Sequence, residues 1–353
     1  MKNTKIIKWI APLVVGGVLL TGCDNPFSDD EEVTTTSYNG PGSDYSLSLK
    51  SNNTFSLTEA DSNLSLTGTY ASLNSGFKKL TVSTTNDSSS VAVGSGAYIL
   101  EIPGTVTLLK PIGSNTQIIN MVVGGSCPSA DFTANWVNTY KDLNITTGDV
   151  MGTFVYTHST TSGTLPSKYT VSGSAVSDNN SNLGTLSCND GIVSGSDFKM
   201  YLTSNGGAIV RTFGENGAAG GGDDQFIVGL SQDTITSLSE LDGNYAGLVF
   251  EESSSGENIF AVSTTLSSGT GQAFPITDID NNTLGSDGAT ISLGTINSPS
   301  NGFINGTITS DGSGTVQCMA NTNINNSGKN FLFCVGQNPG ENSKLYNLLL
   351  VSK

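Results

Sequence analysis

The sequence predicts an all-β protein: three tandem small antiparallel β-barrel or β-sandwich domains behind a flexible N-terminal tether. Three observations predict it. Apolar residues recur with period two along much of the chain, the spacing of a strand with one buried face. Polar turns separate these runs, and 43 glycines with only 12% charged residues favour strands and tight turns over helices. Finally, sequence landmarks recur about 105–109 residues apart in a chain of 353, long enough for two or three domains.

The strands begin at Tyr45. Tyr45, Leu47 and Leu49 alternate with Ser46, Ser48 and Lys50; Asn52–Asn53 turns the chain into Phe55 and Leu57; Leu64, Leu66 and Tyr70 continue the meander. Helix is confined to two short candidates, Ser129–Ala134 and Ile235–Leu241. They belong to matched segments, since Ala130–Trp136 aligns with Ser239–Tyr245 at an offset of 109. Leu202–Gly206 matches Ile308–Gly312 at 106, and Phe226–Gly229 matches Phe333–Gly336 at 107. Asn-Gly and Asp-Gly at the ends of the second pair are hairpin signals, because both central residues of such a turn need positive φ. Met121–Gly124 stands 105 residues before Phe226–Gly229, with a hairpin at Pro103–Gly104, and marks the first copy. The domains on this reading are 38–125, 126–235 and 236–353, after a leader over 1–22 and a tether over 23–37.

The leader has its own logic. Lys2, Lys5 and Lys8 precede an apolar stretch, Ile10–Leu20, about half as long as a bilayer-spanning helix. Leu20-Thr21-Gly22-Cys23 follows at once, and this resembles the lipobox of bacterial lipoproteins. The resemblance implies cleavage before Cys23, lipid on Cys23, and a mature protein anchored to a membrane of the bacterial cell envelope, periplasmic or surface-exposed. Two or three acyl chains anchor stably where one does not. Asp29–Glu32 and Thr34–Ser37 have nothing to bury and read as a solvated acidic tether. Removing the three leader lysines takes the basic count from 14 to 11 against 30 acidic residues, a net charge of −19. Such a surface repels nucleic acid.

Gly68-Thr69-Tyr70 and Gly243-Asn244-Tyr245 resemble the Gly-x-Trp opening of lipocalin-like barrels, whereas Asn135-Trp136 lacks the glycine. The resemblance implies a barrel; three residues per copy bring no ligand pocket with them.

Besides Cys23 the chain has four cysteines, an even number that suggests disulfides in an exported protein. Cys318 and Cys334 flank one hairpin loop and form the natural pair. Cys127 and Cys188 then pair, fastening the linker before the second domain to one of its strands. With no CxxC spacing, zinc has no site in them.

The residues offer little for catalysis. His158, the sole histidine, stands among Ser and Thr at the end of a strand, without the Gly-x-Ser-x-Gly elbow of a hydrolase. Glu251, Glu252 and Glu257 could supply a carboxylate pair for glycoside hydrolysis. Asp278, Asp280 and Asn282 place oxygen ligands at alternate positions, as calcium requires, but Thr283 replaces the glycine and Ala289 the bidentate acid of an EF-hand loop. Gly220–Asp224 reads as a hairpin loop. No cofactor and no metal are expected. The sequence therefore points to a lipid-anchored envelope protein with a binding, adhesion or surface-structural role, whose partner is a protein or glycan. The alternatives are a carboxylate-based hydrolase and a lipocalin-like carrier of an apolar ligand.

Overall fold

The computed structural model describes residues 32–40, 45–60, 62–114, 118–124, 126–138, 144–176, 181–189, 191–195, 199–202, 208–213, 225–298 and 302–353. Cys23, the leader and most of the tether lie outside them, as do Gly220–Asp224 and the turn at Asn205–Gly206. The all-β reading holds: 26 strands and two single-turn 3-10 helices, Leu238–Leu241 and Ile324–Asn326, make up the described elements.

The first ring comprises β1 (Thr35–Gly40), β2 (Tyr45–Lys50), β3 (Thr54–Glu59), β4 (Leu64–Ser72), β5 (Lys78–Thr85), β6 (Gly96–Ile102), β7 (Val106–Pro111) and β8 (Ile119–Val123). Each strand pairs antiparallel with the next, and β1 pairs with β8 to close the barrel. β1 takes in Thr35–Ser37, which the sequence assigns to the tether: alone they look like polar linker, but their partners on β2 give them a ladder. Asn53 makes the turn after β2 with φ of 63°, a conformation asparagine tolerates better than most residues.

The second ring runs through β9 (Phe132–Asn138), β10 (Met151–Thr157), β11 (Ser162–Tyr169), β12 (Ser181–Thr185), β13 (Ser187–Asn189), β14 (Ile192–Ser194), β15 (Lys199–Leu202), β16 (Ala208–Phe213) and β17 (Gln225–Ser231). β9 pairs with β17, and the sheet's two edges are β12 and β13, separated in the chain by Leu186 alone. They act as one broken strand, so this sheet too is an eight-strand ring. Gly152 lets β10 pass over Trp136, because a Cβ there would lie 2.6 Å from the indole.

The third ring has β18 (Gly243–Ser253), β19 (Gly256–Leu266), β20 (Thr270–Asp278), β21 (Thr283–Leu284), β22 (Ala289–Ser298), β23 (Phe303–Thr309), β24 (Ser313–Asn321), β25 (Phe331–Asn338) and β26 (Glu341–Ser352). β18 pairs with β26, β19 with β20, and β21 is a two-residue appendage on β20. Closure removes the unpaired edges that a β-sheet otherwise presents.

The landmarks of the sequence repeat fall unevenly on these rings. Asn135-Trp136 and Asn244-Tyr245 both stand on first strands, and Met121–Val123 and Phe226–Gly229 both on eighth strands. Phe333–Gly336, however, lies on β25, the seventh strand of its ring, and Ile308–Gly312 turns between the fifth and sixth strands where Leu202 ends a sixth. The sequence match for the last copy therefore falls one strand out at these two landmarks, because successive hairpins of a meander resemble one another. Gly68 lies within β4 and Gly243 at the start of β18, so the two lipocalin-like tripeptides occupy different places. Of the two short helices, only Leu238–Leu241 forms, with Ser237 and Glu240 as a capping box; Phe132–Ala134 already belongs to β9.

Each ring has an interior of its own. Tyr38, Leu47, Phe55, Ile99 and Met121 fill the first, Trp136, Phe154, Tyr156 and Met200 the second, and Tyr245, Ile291, Ile304 and Leu348 the third. A fourth apolar cluster lies outside all three barrels and takes residues from each: Leu100, Ile102 and Leu108; Val137, Met151 and Val228; Phe303, Phe331, Phe333 and Leu349. Strands contributing to it are buried on both faces. β25 sends Leu332 and Cys334 inward and Phe331, Phe333 and Val335 outward into the shared core. Polar contacts follow the same seams. Gln317 Nε2 donates to Val171 O over 2.8 Å, Asn321 Nδ2 to Ser231 O over 3.1 Å, and Tyr98 Oη to Asp280 Oδ1 over 3.2 Å. Thr34–Lys353 accordingly forms one compact unit.

Candidate functional site

The four cysteines form Cys127–Cys188 and Cys318–Cys334. The first ties the segment before β9 to β13. The second joins directly paired positions on β24 and β25 and is buried inside the third barrel. That disulfide, with Tyr245, Ile304 and Leu348, occupies the space that a carrier's lumen would need. An eight-strand ring is about wide enough to be filled by its own side chains.

The first barrel has a polar centre that the sequence reading overlooks. Glu101, nearly buried, accepts from the Tyr38 hydroxyl and pairs with the Lys78 ammonium, which also lies 5.2 Å from the centre of the Tyr70 ring. Burial and the adjacent carboxylate push the Tyr38 phenol well above its ordinary range. The available signal is a lone glutamate in the apolar run Tyr98–Ile102. Glu101 and Lys78 also border a groove of about 300 Å³ between the first and third barrels, into which Lys329 and Lys353 project.

The proposed carboxylate set divides across one sheet. Glu251 pairs with Tyr346 in register, on the interior face of β18, whereas Glu252 pairs with Glu257 and takes the alternate face. Burial raises the Glu251 carboxyl above the ordinary carboxylate range, opposed by the Asn258 amide. Its folded form holds the proton more tightly than the unfolded chain, where glutamate titrates near about 4.3. The stability it contributes is full below that pH and is lost as pH rises through the folded value. Glu251→Gln is therefore expected to raise the melting temperature at pH 7 and to lose that advantage near about pH 4. The group is half-buried, so screening keeps the effect under about 1 kcal/mol. Thermal scans of both proteins across this range decide it, and a difference independent of pH would contradict it.

His158 is exposed in the turn after β10, its backbone N–H donating to Asp131 Oδ1 over 2.7 Å. In the calcium candidate, Asp280 is engaged by Lys79 and Tyr98 of the first barrel, and Asp278 accepts from Asn281 through its N–H and Nδ2. These bonds hold the β20–β21 turn against the first barrel. Among the described residues, no cluster of three or more His, Cys, Asp or Glu side chains has the geometry to hold a metal.

A larger groove, of about 590 Å³, crosses the outside of the third barrel where β19 meets β20 and β22. Ser263, Thr265, Thr270, Gln272 and Thr290 line it with Phe274 and Leu284, and none of its lining side chains is ionised. Thr264, between Val262 and Leu266 on the inward face of β19, has its Oγ1 buried without a hydrogen-bond partner among the described residues.

The pairings define a class: an all-β protein of three up-and-down antiparallel rings, the first and third closed by strand pairing into eight-stranded barrels and the second completed through the chain at Leu186. No protein-family model matches the sequence, and no curated protein matches it. Among solved structures, a mutant transferrin binding protein B from Haemophilus parasuis is 8% identical, aligning 91% of this chain with 76% of its own at a TM-score of 0.28. A protein of unknown function of the DUF3598 family from Nostoc punctiforme is also 8% identical, over 90% and 94%, at 0.22. Likeness of that degree says nothing of ligand or activity, and the ring architecture stands on its own strand pairings. No described helix is long and apolar enough to cross a membrane.

Proposed function

We propose that this is a lipid-anchored protein of the bacterial cell envelope, with a binding, adhesion or surface-structural role and no catalytic one. Lipid on Cys23 anchors it, residues 24–34 hold it off the membrane, and the modules 38–125, 126–235 and 236–353 form its body. The observation that carries this reading is the apolar core shared by all three barrels. It fixes them as one rigid scaffold, and loops or grooves on a rigid scaffold bind without tuned catalytic groups. The acidic groups support it as well: Glu101 is tied up by Lys78 and Tyr38, and Glu251 faces away from Glu252 and Glu257.

Anchoring is the testable part. Cys23→Ala is expected to abolish fatty-acid labelling and to shift nearly all of the protein out of the membrane fraction, as soluble or unprocessed chain. Metabolic labelling with a fatty acid followed by fractionation measures both. Label that persists on the Cys23→Ala protein would contradict the assignment.

A further inference from the structure

With the three leader lysines set aside, 30 acidic residues face 11 basic ones, so a lysine in this molecule should readily find a carboxylate. The described residues hold two ion pairs, Lys78–Glu101 and Lys79–Asp280. Lys329 and Lys353 belong to neither, although both stand on the groove that Lys78 and Glu101 border. The Lys329 ammonium has no acceptor among the described residues, and Lys353 Nζ donates to a hydroxyl, that of Ser263, over 3.0 Å. Burial moves the Lys353 ammonium below its ordinary range, and no described carboxylate side chain holds it up. Glu101 cannot serve either lysine, since its two oxygens accept from Tyr38 and Lys78. The groove thus sets three ammonium groups against one carboxylate side chain. Like charges held together repel, and an acid brought from elsewhere in the chain relieves them.

Such an acid lies within reach. The run Asp29–Glu32 ends three residues before β1, and Glu32 is exposed. Thr34 is fixed to the β2–β3 turn, its N–H donating to Ser51 Oγ over 3.0 Å and its carbonyl accepting from Ser51 N over 2.9 Å. The same end of the first barrel carries the β4–β5 turn, Leu73–Phe77, and the β6–β7 turn at Pro103, both of which border the groove. A line of contacts crosses the barrel mouth between them. Lys50, paired with Thr35, accepts through its carbonyl from Tyr70 Oη over 2.7 Å, and the Tyr70 ring lies 5.2 Å from Lys78 Nζ. β5 is four strands on from β1 in a ring of eight, so Lys78 stands across the mouth from Thr34, roughly 15 Å away for strands about 4.8 Å apart. An extended chain covers about 17 Å in the five steps from Thr34 back to Asp29. Long lysine side chains shorten the gap further.

We propose that the acidic run Asp29–Glu32 docks across the mouth of the first barrel onto Lys78, Lys329 and Lys353, tying the tether to the body. The proposal rests on the tether reading above and names what the tether binds. One exposed ion pair is weak, but a short linker presents the acids at an effective concentration on the order of millimolar. Residues 24–28 alone then separate the lipidated Cys23 from the docked run, about 17 Å of chain at full stretch. The groove side of the body is thereby held next to the membrane.

Carbodiimide coupling, which joins touching carboxylates and amines without a spacer, tests this on the full lipidated chain in detergent, with peptide mapping of the products. A mixture of isotope-labelled and unlabelled copies separates coupling within a chain from coupling between chains. Within a chain, the tether peptide should couple to Lys78, Lys329 or Lys353 at least about fivefold more than to Lys344, which stands near the opposite end of β26 from Lys353. In about 1 M salt, where the Debye length falls to about 3 Å, that preference should disappear. Proteinase K cleavage of the tether gives a second readout. Two variants should be cut about fivefold faster than the parent at low salt, the loss of roughly one or two exposed ion pairs. They are the Lys329→Ala, Lys353→Ala double variant and the chain with Asp29→Asn, Asp30→Asn, Glu31→Gln and Glu32→Gln, which leaves the folded body untouched. Equal coupling to Lys344, coupling found only between chains, or one cleavage rate for all three proteins would overturn the proposal. Each of these results leaves the lipid anchor standing. The anchor falls separately, through label that persists on Cys23→Ala.

Discussion

Replacing Phe303 with alanine is expected to destabilise the whole body, and not the third barrel alone, by about 3–5 kcal/mol. Phe303 is 2% exposed on the outer face of β23, and its ring lies edge-on to Tyr169 of the second barrel, 6.1 Å between centres. Truncation leaves a cavity where two barrels meet, and the backbone there is held by antiparallel ladders on both sides, so collapse is restricted. The buried bond from Gln317 to Val171 lies along the same seam. Denaturant unfolding followed by tryptophan fluorescence reports on the second barrel, where Trp136 sits on β9. The expected result is a lower midpoint in that signal at unchanged slope. A Trp136 transition that stays where it was would show that the second barrel does not depend on the seam.

The other large effect belongs to Cys127–Cys188. Its cysteines are 61 residues apart, against 16 for Cys318–Cys334. Loop-closure entropy then assigns it about 4 kcal/mol and the shorter one about 3. The longer crosslink closes a loop spanning β9 to β13 and holds the broken strand at Leu186, where the second ring is completed by the chain and not by a ladder. The Cys127→Ala, Cys188→Ala double variant should lose about that much stability at equilibrium. If it unfolds at the parent's midpoint, the ring is held closed without the bond.

How much of this was legible in the sequence depends on the strand. Where one face meets solvent, as in Tyr45–Lys50 and Thr54–Glu59, the alternation is plain and the strand is read correctly. The disulfide partners are legible too, because an even set of cysteines and one flanked hairpin leave little choice. Tyr346–Val351 and Phe331–Val335 carry information that period two does not use. Nearly unbroken apolar runs in an antiparallel protein mean burial on both faces, and here the second face is the contact between barrels. The ring closures β1–β8, β9–β17 and β18–β26 are long-range pairings without a local signature. The lysine-rimmed groove was not visible at all. Lys78, Lys329 and Lys353 are spread along the chain, and only the contact between the first and third barrels brings them together.

A common apolar core fuses the three rings into a single body. Scanning calorimetry of the intact chain tests it most directly. The account predicts one endotherm whose calorimetric and van't Hoff enthalpies agree, because no barrel can unfold without exposing the core of its neighbours. Two or three resolved endotherms, each matching a unit of about 100 residues, would contradict it and leave the barrels as independent beads on a chain.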